Sequence, residues 1–295
     1  MMDQIEPFTV ALPEGDMAGY RWPRPGAPRI LFAHANGFNA RTYRQMLEPV
    51  AQRFEVVALD LRGHGRSRLP VDPSETAAWE VHARDLARAI EALGDRALIL
   101  AGHSMGGSAL VLAGTLTKVR PLGYVLIEPA ILPGLLRFAT NTPLAGLVSR
   151  HTPIVRNAKN RFDGWDTVEA VFERYRAKAM FSRWADGVLE DYLADGLVKG
   201  ADGRWHLACP PAWEAANFAT QRHRIMRAVR SIAEPIALLK AGRGSTVYPV
   251  AALERAGVQI DRAEQHGHLL AMDDPGFTAG WLIAQATRLA GRRGT

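Results

Sequence analysis

The stretch Leu98-Ile-Leu-Ala-Gly-His-Ser-Met-Gly-Gly107 sets Ser104 between Gly102 and Gly106, after an apolar run that reads as a strand and before a run that reads as a helix. A sharp strand-to-helix turn holds its middle residue in a strained backbone conformation and needs small neighbours on both sides. It also aims the positive N-terminal end of the following helix at the site. Ser104 is therefore expected to be a nucleophile. A serine hydroxyl attacks poorly at neutral pH unless a base takes its proton, and imidazole has the pKa for that task. Nine histidines compete for the role. The single cysteine, Cys209, forms no internal disulfide and cannot supply the two thiolates of a zinc site, so no metal is expected and a reducing compartment fits.

The elements that must position Ser104 follow from hydrophobic periodicity. Runs rich in Val, Ile and Leu at 30–33, 56–60, 97–102, 123–127, 236–241 and 258–263 read as strands, and 41–54, 79–93, 107–118 and 276–289 read as helices. Their alternation predicts an α/β fold with a mostly parallel sheet and helices on both faces. Between Leu132 and Ala219 the alternation stops, with helical patterns at 167–183 and 186–196. This stretch holds 11 of the 23 aromatic residues. Residues 1–131 and 220–295 are thus expected to form the core. Residues 132–219 are expected to form a helical cap over the carboxyl edge of the sheet. At least half of the cap aromatics should pack among themselves, while others, with Phe181, Trp184 and Phe38 as candidates, roof the site above Ser104.

Composition excludes several function classes. With 47% hydrophobic and 22% charged residues the chain sits near the globular average, and no apolar run approaches the 18 residues that span a bilayer. Residues 1–20 lack the basic and apolar regions of a secretory signal, so a cytoplasmic location is expected. The net charge of +6 and pI near 9.8 come from 31 Arg against 5 Lys spread along the chain. The densest stretches are Arg150, Arg156, Lys159 and Arg161, then Arg222, Arg224, Arg227 and Arg230. Neither is interleaved with aromatics that could stack bases, so both read as solvated faces and no nucleic-acid partner is expected. The pattern is silent on oligomeric state.

Around Ser104 the chain resembles the α/β-hydrolase fold family, and the resemblance extends over nearly everything outside the insertion. Phe32-Ala-His-Ala-Asn-Gly-Phe38 resembles the family's His-Gly loop after its third strand, with Ala35 in place of the usual glycine. Asp60-Leu-Arg-Gly-His-Gly-Arg-Ser67 resembles its turn after the fourth. The resemblance implies that the backbone N–H groups of Asn36 and Met105 form an oxyanion hole. It implies that the base follows the last strand, at His266 or His268. His268 is favoured because Leu-Leu-Ala-Met-Asp-Asp-Pro275 follows it, like the family's acidic cluster and proline. His34, His64 and His103 are expected to pack or hydrogen-bond, and His266 to shape the loop. Many relatives carry the third residue, an Asp, where this chain has Ser245. An acid is still needed to hold the imidazole tautomer, and Glu128, 24 residues after Ser104, is the candidate, ahead of Asp273 or Asp274.

A Ser at the turn, rather than the Asp of dehalogenases and epoxide hydrolases, points to attack on a carbonyl. The expected function is a serine esterase or lactonase acting on apolar small molecules through an acyl-Ser104 intermediate, with no cofactor. An acyl-CoA thioesterase is the alternative, since Leu207-Ala-Cys-Pro-Pro211 resembles the cap of fungal peroxisomal hydrolases. A non-catalytic small-molecule binding protein on the same fold is a further rival.

Overall fold

All six of the expected parallel strands form, and two more precede them. In the computed structural model, which describes residues 5–74, 78–94, 97–131, 152–219 and 224–292, the strands in chain order are β1 Glu6–Leu12, β2 Gly15–Trp22, β3 Arg29–Ala33, β4 Glu55–Leu59, β5 Leu98–His103, β6 Gly123–Ile127, β7 Leu197–Lys199, β8 Trp205–Leu207, β9 Ile236–Arg243 and β10 Gln259–Gly267. Eight of them make one sheet in the order β1-β2-β4-β3-β5-β6-β9-β10. The run from β4 to β10 is parallel throughout, whereas β2 pairs antiparallel with β4 and β1 antiparallel with β2.

The parallel strands β3, β4, β5 and β6 are buried over their whole length because helices cover both faces, whereas β9 and β10 expose residues toward their carboxyl ends. Successive side chains point to opposite faces, so Leu31, Val57, Leu98 and Leu100 enter one core while Ile30, Phe32, Val56 and Ile99 enter the other. The first core is closed by helices α2 (Ala78–Leu93) and α3 (Met105–Gly114), the second by α1 (Arg44–Ala51) and the helix Pro275–Gly291. Helix α3 starts directly at Met105, two residues before the expected helix. Nine of its ten residues are buried, as its nearly uniform apolar sequence requires.

The insertion differs from the sheet in texture. Its described part, residues 152–219, holds short helices at Pro153–Lys159, Val168–Arg176, Val188–Gly196 and Pro211–Ala219, and the two-stranded antiparallel pair of β7 and β8. The expected boundary at Leu132, together with Phe138 and Arg150, lies outside the described residues, as does Arg222. Residues 152–219 attach to loops that leave the carboxyl ends of the strands. Asn39 donates to the Tyr192 carbonyl at 2.9 Å and Asn36 to the Glu214 carbonyl at 3.0 Å. The Trp213 indole donates to the Arg62 carbonyl at 2.9 Å, and the Ala185 N–H to the Met272 carbonyl at 2.9 Å. No helix among the described residues is long and apolar enough to cross a membrane.

Candidate active site

Ser104 sits at the junction of β5 and α3 with φ 51° and ψ −119°. The left-handed region costs an L-residue about 1–2 kcal/mol, and the neighbouring strands hold it there. The Ser104 N–H donates to the Ile127 carbonyl of β6 at 3.0 Å, and its carbonyl accepts from the Ala130 N–H at 3.2 Å. Glycines flank the turn for want of space. A methyl at Gly102 would come within 2.8 Å of the Gly107 nitrogen, and one at Gly106 would fall on the Ala33 and His34 carbonyls. The Ser104 hydroxyl makes no capping bond to α3 and is available to another partner.

That partner is His268, just past the end of β10, whose Nε2 lies 3.0 Å from Ser104 Oγ. Its Nδ1 lies 3.0 Å from Glu128 Oε2. A carboxylate can only accept, so Nδ1 carries the ring hydrogen and Nε2 is left to accept from the Ser104 hydroxyl. Strands β5, β6 and β10 thus bring together three residues up to 164 positions apart.

Glu128 follows β6 with φ 44° and is fully buried. Its Oε1 accepts from the Ala241 N–H at 2.6 Å and the Ser245 hydroxyl at 2.7 Å, and its Oε2 from the Thr246 N–H at 3.0 Å. Burial pushes the carboxyl up. The bonds from His268, Ser245, Thr246 and Ala241 more than offset this and leave it below its ordinary value, so it is ionised at neutral pH. Ser245, standing where an acid was anticipated, serves instead as a donor to the acid from β6.

The competing residues lie elsewhere. His266 falls inside β10, which runs past the expected end at 263 through a register shift. Its Nε2 meets Asp274 Oδ2 at 3.3 Å and its ring stacks on Phe277 at 4.5 Å. Asp274 caps the last helix through the Phe277 N–H at 2.9 Å, and no described hydrogen bond brings Asp273 or Asp274 to His268. His34 accepts from the Leu61 N–H at 2.8 Å, and His64 accepts from the Gly37 N–H at 3.1 Å. Burial holds both imidazoles far down, His64 to about 3, so they are neutral hydrogen-bonding posts.

Asn36 lies in the turn after β3. Its side chain is occupied by the Glu214 carbonyl and by the Asn217 amide, which donates to Asn36 Oδ1 at 3.0 Å. None of the described hydrogen bonds uses the backbone N–H of Asn36 or of Met105, the first residue of α3. Phe38, partly buried, packs its ring 5.6 Å from Trp184 and 5.7 Å from Tyr192. Trp184 and Phe181 lie 4.7 Å apart. Phe181 and Trp184 are buried within this aromatic group.

One expectation fails. Arg161 does not belong to a solvated face, although Arg156 and Lys159 do. Its guanidinium pairs with the Glu214 carboxylate and donates to the Tyr175 hydroxyl at 2.9 Å and the Tyr192 hydroxyl at 3.0 Å. A planar fork of five donors can serve three acceptors at once, which a local count of charges does not reveal. Tyr43 and Thr246, which also touch the site, carry no motif that would have singled them out.

The bifunctional esterase/perhydrolase DCH of Acinetobacter calcoaceticus is 26% identical over 277 residues, 90% of this chain and 90% of that protein. Several other curated relatives are matched over less than half of their own length. The dihydrolipoyllysine-residue acetyltransferase component of the acetoin cleaving system of Cupriavidus necator, for instance, is 31% identical over 127 residues, 43% of this chain and 33% of that protein. Among solved structures, E-2-(acetamidomethylene)succinate hydrolase superposes with a TM-score of 0.76 at 18% identity, covering 95% of this chain and 98% of its own, which is a likeness of fold. The profile of the Alpha/beta hydrolase family matches residues 30–281, from β3 into the last helix, and the chain belongs to that family.

Proposed function

We propose that the protein is a serine hydrolase that cleaves carboxylic esters or lactones of apolar small molecules through an acyl-Ser104 intermediate. The observation that carries this reading is the continuous set of contacts from Ser104 through His268 to Glu128, each at 3.0 Å. His268 Nε2 takes the hydroxyl proton as Ser104 Oγ bonds to the substrate carbonyl carbon. The carbonyl electron pair moves onto oxygen, which receives the Asn36 and Met105 N–H groups. Collapse expels the alkoxide, which leaves with the proton from His268. Water then repeats the sequence and releases the acid. Glu128 holds the imidazole in the tautomer that can accept and stabilises the imidazolium that forms.

Residues 132–219 act in this reading as a lid. Its described part attaches to the loops around Asn36, Arg62 and Met272, and its aromatic group around Phe38, Phe181 and Trp184 offers an apolar wall for the acyl chain. The name of the Acinetobacter relative favours an ester substrate.

The test is to offer p-nitrophenyl esters, lactones and acyl-CoA side by side, with fluorophosphonate labelling of wild type and Ser104→Ala. Ester or lactone turnover with labelling confined to wild type supports the reading. A higher kcat/KM for acyl-CoA replaces ester by thioester. Labelling that persists in Ser104→Ala removes the nucleophile, and a wild type that is neither labelled nor active leaves a binding protein.

A further inference from the structure

His103 closes β5 and is fully buried, yet its ring reaches two of the loops on which the proposed chemistry depends. Its Nε2 lies 2.8 Å from the backbone carbonyl oxygen of His268, and its Nδ1 2.7 Å from the Tyr43 hydroxyl. A carbonyl only accepts, so Nε2 carries the hydrogen and Nδ1 takes one from Tyr43. The Tyr43 oxygen in turn accepts the backbone N–H of Ala35 at 3.1 Å. An unbroken buried chain therefore runs from the residue beside Asn36, through Tyr43 and His103, to the backbone of His268. Burial, with His268 nearby, pushes the His103 imidazole down to about 3. It stays neutral, and keeps one tautomer, throughout the neutral pH range.

We propose that His103 is a positioning residue, which sets the backbone that carries His268 and, through Tyr43, the loop that carries Asn36, so that base and oxyanion donors keep one spacing. The inference rests on the reading of Ser104 as nucleophile and His268 as base. Its leverage comes from geometry, since a displacement of about 1 Å at a reacting group can cost about 10²-fold in rate. The rival account is that the imidazole only fills space between the strand and the loop.

Two shortened side chains separate these accounts. The amide of His103→Asn reaches only to the place of Nδ1, so it keeps Tyr43 and loses the His268 carbonyl. The amide of His103→Gln reaches to the place of Nε2 and keeps a donor for that carbonyl. His103→Asn is expected to lower kcat about 30-fold with KM within about 2-fold, and to slow fluorophosphonate labelling by a similar factor. His103→Gln should return to within about 5-fold of wild type. Tyr43→Phe should lower kcat by about 5-fold, and the double variant Tyr43→Phe with His103→Asn should be no worse than His103→Asn alone, because both cut one chain. Rates are taken per folded molecule, with thermal unfolding run on each variant. Equal losses in the Asn and Gln variants, or losses that only follow the unfolded fraction, overturn the proposal. Labelled, active wild type with unchanged His103→Asn sinks the positioning role alone. Wild type that neither labels nor turns over sinks the reading of Ser104, and the positioning role with it.

Discussion

The sheet and the insertion are held by different mixtures of apolar packing and directed bonds. In β3, β4, β5 and β6 every residue is buried, and the helices on both faces add apolar area without direction. The insertion shares apolar packing with both cores, through Trp213 in one and Trp184 and Leu193 in the other. It adds directed bonds across the seam, such as Arg44 to Asp191 at 2.8 Å and Gln45 to the Asp186 carbonyl at 2.7 Å, while Arg161 joins Glu214 and two tyrosine hydroxyls within the insertion. Close packing in the sheet places the Ser104, Glu128 and His268 groups where small errors cannot accumulate. The polar bonds along the seam can be changed one residue at a time. In the proposed reading, bond making falls to the sheet and substrate choice to the insertion, and each assignment can be broken.

The largest expected effect lies on the sheet side. Ser104→Ala should lower kcat by about three or more powers of ten with an unchanged unfolding midpoint, because it removes the proposed attacking atom and almost no packing. Steady-state kinetics beside calorimetry checks this. Glu128→Gln should come next, with a loss of about 10²- to 10⁴-fold in kcat. An amide donor facing Nδ1 favours the tautomer in which Nε2 carries the hydrogen and cannot accept from Ser104. A variant with near wild-type kcat would assign the orienting role to Thr246, whose hydroxyl lies 3.4 Å from Nδ1.

Acid should also act on the core. His34, His64, His82 and His103 are buried and held neutral, at about 3 for His64 and His103 and about 4 for His82, against an ordinary value of 6.5. Below pH 6.5 the unfolded chain binds protons that the folded one refuses. The stability is therefore complete above 6.5 and is lost as pH falls, by about 1.4 kcal/mol per imidazole per pH unit. Asp60, pushed up to about 7 by burial, works in the opposite direction between its ordinary value of 3.8 and 7 and offsets one imidazole. The net loss from these groups between pH 7 and pH 5 is about 5 kcal/mol, and denaturant titrations over that interval should recover its sign and rough size. A flat profile would mean that the core admits protons.

On the insertion side the effects should be smaller and of another kind. Glu214→Gln leaves the Arg161 guanidinium without its counter-ion beneath two tyrosines and should cost about 2–4 kcal/mol, read from the unfolding midpoint. Trp184→Ala should alter the ranking of acyl chain lengths by about 5- to 10-fold while the labelling rate at Ser104 moves less. Equal changes in both would mean that the two assignments are not separable.

What could be read in advance follows the same division. Ser104 is legible because the demands of a sharp turn are local, falling on Gly102 and Gly106 within two residues. His268 is legible through its spacing to Pro275, and Glu128 through the loss of a carboxylate at Ser245 and the place of Glu128 at a strand end. The N-terminal pair β1 and β2 is not legible, because β1 is largely exposed and antiparallel pairing leaves no long apolar run. Arg161 misleads because its acceptors come from Tyr175, Tyr192 and Glu214, on three separate helices. Tyr43 is invisible because its value lies in two partners 8 and 60 positions away.

Among the described residues, Ser104 and Glu128 are the two that combine a side chain with a left-handed backbone, at φ 51° and 44°. Glycine would adopt either conformation without steric penalty, whereas any L side chain there costs about 1–2 kcal/mol. A variant library screened only for heat resistance would therefore drift toward glycine at Ser104, whereas at Glu128 the donors from Ala241, Ser245 and Thr246 that glycine would leave unpaired favour the carboxylate. Its survivors would keep the fold and lose the proposed nucleophile. Any attempt to harden this scaffold has to hold both positions fixed and seek its gains elsewhere.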